Sequence, residues 1–178
     1  MKRIYLFSVL LLALTWSCGN EDAKDQKTDQ VQDEVEEVDS TWKGLAILEG
    51  GYKFGIEIPN ESVIDKESEI IYHEDRGEIE IKIGEGFDLF VLEDESQMEM
   101  VKNELNDHAF YEVEYALQND SCLLYRLYTV NGEKEQWQMY AERKIGVTTL
   151  LVRSNEMSFF TEYEAKLMLE SALRITPF

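Results

Sequence analysis

Two histidines, two cysteines and many carboxylates make up the reactive side chains of this 178-residue chain. His73 and His108 are far apart in sequence and no cysteine pair accompanies them, so a four-ligand zinc set is not expected. His73-Glu74-Asp75 falls where a hairpin turn is expected and reads as a solvated loop, and His108 follows a helix it is placed to cap. Cys122 sits in the apolar run SCLLYRLYTV with no histidine near it in sequence, and reads as a small buried hydrophobe rather than a nucleophile. Glu78 with Glu80, and Glu112 with Glu114, stand two apart, which puts each pair on one face of a strand. Paired carboxylates can hold Ca²⁺ or work as acid and base. The solvated face of a half-buried strand accounts for them more simply.

Motif spacings add nothing catalytic. No HExxH, GxSxG, phosphate-loop or EF-hand pattern occurs, and Gly84-Glu85-Gly86 is a turn without the rest of a nucleotide fingerprint. No catalytic, cofactor-binding or metal-binding residue is therefore assigned. Tyr125, Tyr128, Trp137 and Tyr140 form an aromatic-rich stretch, read first as core or cross-strand pairs. An exposed subset beside Arg126 or Arg143 would mark a surface for a ligand or partner.

The elements that must position these residues are mostly strands. YKFGIEIP alternates Tyr52, Phe54, Ile56 and Ile58 with other residues at period two and ends at Pro59, and Gly50-Gly51 closes a hairpin with GLAIL. EIIYHEDRGEIEIKIG reads as two strands about Asp75-Arg76-Gly77, and FDLFVLE as another. FYEVEYALQ, SCLLYRLYTV, EQWQMYAERKI and GVTTLLVRS follow, broken at Asn119-Asp120, Asn131-Gly132 and Gly146, which predicts an antiparallel meander. Two helices interrupt them. Ser96 to Glu99 fits a capping box ahead of Met98, Val101 and Leu105. Thr161 to Glu164 is a second box ahead of Ala165, Met168, Leu169, Ala172 and Leu173, with Pro177 marking the end. The expected class is α+β: an antiparallel sheet of about six to eight strands packed with two amphipathic helices as an α/β/α sandwich.

The N-terminus sets the context. Lys2 and Arg3 precede thirteen mostly apolar residues, Ile4 to Trp16, the pattern of a secretory signal. As a helix they would span roughly 20 Å, short of a hydrocarbon core of ~30 Å. Thr15-Trp16-Ser17-Cys18 resembles the box that ends a bacterial lipoprotein signal, with Ser17 suited to its place and Thr15 and Trp16 departing from the usual residues. That resemblance implies cleavage between Ser17 and Cys18, a diacylglyceryl thioether on Cys18 and an acylated new amine. Two or three chains make a lasting anchor where one is marginal. The competing expectation is a secreted product cleaved near Ala13 or Ser17, with Cys18 a plain thiol.

The expected organisation is a signal peptide at 1–17, an acidic tether at 18–40 and one domain at 41–178. Loss of residues 1–17 removes two basic residues and no acid, taking the formal charge from −20 to −22. Residues 19–40 hold nine acids, two lysines and no aromatic residue, a composition that does not fold alone. Val31, Val35, Val38 and Trp42 sketch a helical stripe, though a plain spacer is the simpler reading. Glu21, Asp22 and Asp25 resemble the acidic signal that sends certain lipoproteins to the cell surface. In 41–178, 13 basic residues face 28 acids, which argues against nucleic acid and anionic lipid heads as partners.

The order of elements over roughly residues 50–176 resembles the PsbP-like fold, an antiparallel sheet between helices that recurs in small bacterial lipoproteins. YKFGIEIP matches its aromatic-rich strand ending in proline, and LESALRI its terminal helix. The family often has a Trp soon after that proline, where Val63 is the nearest apolar residue here. No catalytic residue comes with the resemblance. The expectation is a lipid-anchored envelope protein, on the outer membrane at its periplasmic face or the cell surface. It would bind a protein partner or small ligand through its sheet or a cleft and use no cofactor. An envelope hydrolase built on paired carboxylates is the alternative, and would require a concave pocket with two converging acids of raised pKa.

Overall fold

The computed structural model describes residues 41–60, 67–129 and 135–178. The expected signal peptide, Ser17, Cys18, the acidic tether, Val63 and the Asn131-Gly132 turn lie outside the described residues.

Two meanders make the main sheet. The first runs β3 (Ser68–His73), β4 (Glu78–Ile83) and β5 (Phe87–Glu93). The second runs β6 (Tyr111–Gln118), β7 (Cys122–Thr129), β8 (Glu135–Ile145) and β9 (Thr148–Ser154). They join where β5 pairs with β9, giving the antiparallel order β3-β4-β5-β9-β8-β7-β6. Since β5 is central and β6 lies at the far edge, the chain between them crosses a sheet face, and α1 (Met98–Asn106) is that crossing. After β9, α2 (Glu162–Leu173) returns over the opposite face. The class is α+β as expected from the sequence, with the sheet between the two helices.

Beside the expected sheet, here of seven strands, stands a second one. β1 (Trp42–Ile47), β2 (Phe54–Pro59) and β10 (Thr176–Pro177) form a separate three-stranded sheet. β2 takes β1 on one edge and β10 on the other, so it has no edge left to join β3. Its inward residues Phe54, Ile56 and Ile58 share the α2-side core with Ile79, Ile81, Leu89, Val152 and Met168. Tyr52 ties the sheets together: its hydroxyl donates to the Gly77 carbonyl at 2.5 Å and accepts the Glu93 N–H at 3.1 Å.

The helices are held differently. α2 has the capping box its sequence announces, with Thr161 Oγ1 accepting the Glu164 N–H and Glu164 Oε2 accepting the Thr161 N–H. Ala165, Met168, Leu169 and Ala172 are buried on the sheet, while Leu173 at the end of the stripe is exposed. The expected Ser96–Glu99 box does not form. Gln97 is the N-cap and supplies no side-chain cap, and the side chain of Glu142 on β8 takes over. Its Oε1 accepts the Gln97 N–H at 2.7 Å and its Oε2 accepts Ser96 Oγ at 2.6 Å. A carboxylate from the sheet meets the orphan N–H and the positive end of the helix at once. Met98 of α1 is buried, Val101 and Leu105 are half-buried against Leu123, Tyr125, Tyr140 and Leu151, and the outer part of the helix, with exposed Met100 and Glu104, overhangs the sheet.

Candidate functional site

The overhang is a cleft of about 610 Å³ between α1 and the main sheet, within the usual range for a small-molecule site. Its floor comes from β7, β8 and β9, chiefly Tyr125, Leu127, Tyr140 and Leu151. Its roof is one face of α1: Gln97, Met100, Val101, Glu104 and Leu105 recur at helical spacing and all line it, with His108 just beyond. One side is the segment after β9, where Glu156, Met157 and Phe159 stand at the mouth with both apolar side chains exposed. Burial pushes the Tyr125 phenol well above its ordinary range, helped by Glu156 and Tyr115 nearby. Burial also raises the Tyr140 phenol, and Glu142, to which it donates at 3.0 Å, adds to the rise. Both floor tyrosines are therefore neutral donors at physiological pH.

Gln138 fixes one end of the floor. Its Nε2 donates to the Ser158 carbonyl at 3.0 Å and its Oε1 accepts Ser154 Oγ, which also accepts the Met139 N–H. This fully used amide pins the wall segment to β8 and β9.

Arg153 on β9 also lines the cleft and leads to a second feature on the same sheet face. Its Nη2 donates to Glu78 Oε1 at 2.8 Å and its guanidinium lies 5.0 Å from the Phe90 ring centroid. Arg76 approaches the same carboxylate at 3.2 Å and the same ring at 5.5 Å. Beside them His73 Nε2 lies 2.7 Å from Glu80 Oε2. Asp88 accepts Asn155 Nδ2 at 2.9 Å and lies 3.9 Å from Lys82 Nζ. Register puts Asp88 opposite Lys82 and Glu80 opposite Phe90, so Glu80 and Asp88 are diagonal neighbours on one face. Asp88 is 2 % exposed, and its Oδ1 has no hydrogen-bond partner. Burial holds its carboxyl above the usual range, the Asn155 bond pulls the other way, and the Glu80 charge adds to the rise.

Several sequence expectations change here. Glu78 and Glu80 are buried rather than solvated, because Arg76, Arg153 and His73 supply partners along the strand face. His73 ends β3 and faces Glu80 instead of lying in a free loop. His108 does not cap α1: Asp107 does, through its N–H to the Asn103 carbonyl, while His108 Nδ1 accepts the Phe110 N–H. Glu112 and Glu114 are exposed as expected, with Glu114 paired to Arg126. Arg126 lies between the Tyr128 and Trp137 rings on the face opposite the cleft, already matched by Glu114 and Glu135. Arg143 donates to the Ile175 carbonyl at 3.4 Å. Cys122 is a buried free cysteine in the core. Gly84-Glu85-Gly86 is the β4–β5 turn.

Sequence reading missed Asp88, Gln138 and Arg153. The available signal was a charged residue beside an apolar run: Asp88 in FDLFVLE and Arg153 after LLV in TTLLVRS. Among the described residues no group of three or more His, Cys, Asp or Glu is placed to hold a metal ion, and no helix is long and apolar enough to cross a membrane.

Comparison of the chain with known family models, curated proteins and solved structures yields no match.

Proposed function

We propose that this chain is a bacterial envelope lipoprotein, anchored through acyl chains on Cys18 after cleavage behind Ser17, whose domain binds a small, largely apolar ligand beneath α1. The observation that carries the binding half is the cleft of about 610 Å³, floored by Tyr125, Leu127, Tyr140 and Leu151 and roofed by a helix whose apolar side is only partly covered, with Val101 and Leu105 half-buried on the floor residues and Met100 exposed. An amphipathic helix normally gains its stability by burying such a stripe. A face only partly covered, beside two buried tyrosines and a few fixed polar groups, has the make-up of a ligand pocket. The anchoring half rests on the Lys2-Arg3 start, the apolar run to Trp16 and the Ser17-Cys18 junction. The sheet held between two helices accords with a PsbP-like identity, which belongs to the same proposal.

The hydrolase reading has one observation in its favour, the Glu80 and Asp88 pair with Asp88 raised. Against it, neither acid lines the cleft beneath α1.

Each half has its own test. Intact mass and fractionation in a diderm bacterium, wild type beside Cys18→Ala, should give a membrane-bound acylated form that the substitution abolishes. A soluble, unmodified wild type refutes the anchor. For the cleft, the full chain carrying Cys18→Ala is titrated with the neutral fluorophore N-phenylnaphthylamine. Saturable binding that Val101→Trp removes by filling the cleft is expected. Binding that is absent, or indifferent to Val101→Trp, refutes it.

A further inference from the structure

We infer that the ligand of the cleft is an anionic amphiphile, a single-chain apolar molecule with one carboxylate head, and that Arg153 receives the head. The inference rests on the cleft reading above and adds the charge of the occupant.

Arg153 is the only lysine or arginine among the residues lining the cleft. A guanidinium has five N–H donors in a fixed fork, and Glu78 takes one of them at 2.8 Å. Glu78 is shared: Arg76 lies 3.2 Å from its other oxygen. Glu78 is therefore divided between two guanidiniums, while Glu80 and Asp88 on the same face are engaged by His73, Lys82 and Asn155. The remaining acid near Arg153 is Glu156, 3.7 Å from Nη1, too far for a hydrogen bond and with its side chain 72 % exposed. Such an exposed pair contributes little, so an incoming carboxylate can displace it and take two parallel N–H bonds.

The position of Arg153 is also fixed. The Glu78 bond and the Phe90 ring hold the guanidinium at the edge of the cleft, and a preorganised fork loses less entropy on binding than a free one. Beyond it the floor is Leu151, Tyr140, Tyr125 and Leu127, apolar surface for a chain. Glu104 on the roof is an exposed acid that further disfavours a second anionic group and restricts the occupant to one head.

The test uses three probes with one tail: decanoate, decanol and decyltrimethylammonium, titrated calorimetrically below their micellar concentrations into the full chain carrying Cys18→Ala. A charge-assisted pair is worth ~1.5–3 kcal/mol, so decanoate should bind about tenfold tighter than decanol or more, with the cation weakest. Glu156→Gln should raise the decanoate-to-decanol ratio several-fold. Arg153→Gln should bring that ratio to about one, with Arg153→Lys partly restoring it, and since Glu156→Gln leaves the buried pairs intact it remains informative should Arg153→Gln fail to fold. Equal binding of decanoate and decanol, or tightest binding of the cation, overturns the anionic head and leaves the cleft reading in place. Binding of none of the three overturns both.

Discussion

Glu142 on β8 accepts the backbone N–H of Gln97 at 2.7 Å, so the first turn of α1 is held by the sheet it crosses rather than by its own side chains. The same carboxylate also takes Ser96 Oγ and Tyr140 Oη. Glu142→Gln keeps the shape and removes the charge, and a hydrogen bond to a charged group contributes ~1.5–3 kcal/mol. Urea unfolding should show a loss of about 1–3 kcal/mol, with faster hydrogen exchange confined to residues 98–106. Unchanged exchange in α1 would mean that the helix is held by its packing alone.

The two helix starts give a paired prediction. Thr161→Ala removes a formed capping box and should cost ~1 kcal/mol or more of stability. Glu99→Gln, in the look-alike box of α1, should be nearly neutral, because Glu99 is exposed and pairs with Lys102 on its own helix. Equal losses at the two sites would contradict the assignment of the α1 cap to Glu142.

What the sequence makes legible follows from range. Strand alternation, the Thr161 box and the α2 stripe are local patterns, and each corresponds to an element of the fold. The separate three-stranded sheet depends on β10 returning to β2 from more than a hundred residues away, which no local pattern encodes. The α1 box fails for the same reason: a non-local carboxylate competes for the same N–H groups. The site is less legible still. Glu78 and Glu80 have the spacing of a solvated strand face; their pairing with Arg76 and His73 across the hairpin, and with Arg153 from a distant strand, makes burial tolerable.

Asp88 gives stability a pH signature. An aspartate in an unfolded chain titrates near ~3.9, and in the fold its carboxyl is raised, chiefly by burial and also by Glu80. The folded state then holds the proton more tightly than the unfolded one, so this group's contribution is most favourable below the unfolded value. It is lost as pH rises through the raised folded value. Asp88→Asn should flatten that part of the curve, making the variant gain on wild type as pH rises from about 4 towards neutrality. The difference between the two proteins in urea unfolding at successive pH values isolates this term from general charge repulsion. A constant difference would show that Asp88 is not the titrating group.

Cys122 is 3 % exposed and its Sγ accepts Asn119 Nδ2 at 3.2 Å. In the Cys18→Ala chain it should resist thiol reagents in buffer and react in full in concentrated urea. Rapid modification of the folded protein would contradict its place in the core.

The methionines test the binding site itself. Met100 and Met157 line the cleft from the roof and the wall, whereas Met168 on α2 is buried on the other side of the sheet. With methionine methyls labelled for NMR, N-phenylnaphthylamine titrated into the full Cys18→Ala chain should shift Met100 and Met157 together, saturating at one equivalent, while Met168 stays in place. Shifts that spare Met100 and Met157, or that never saturate, would contradict a ligand site beneath α1.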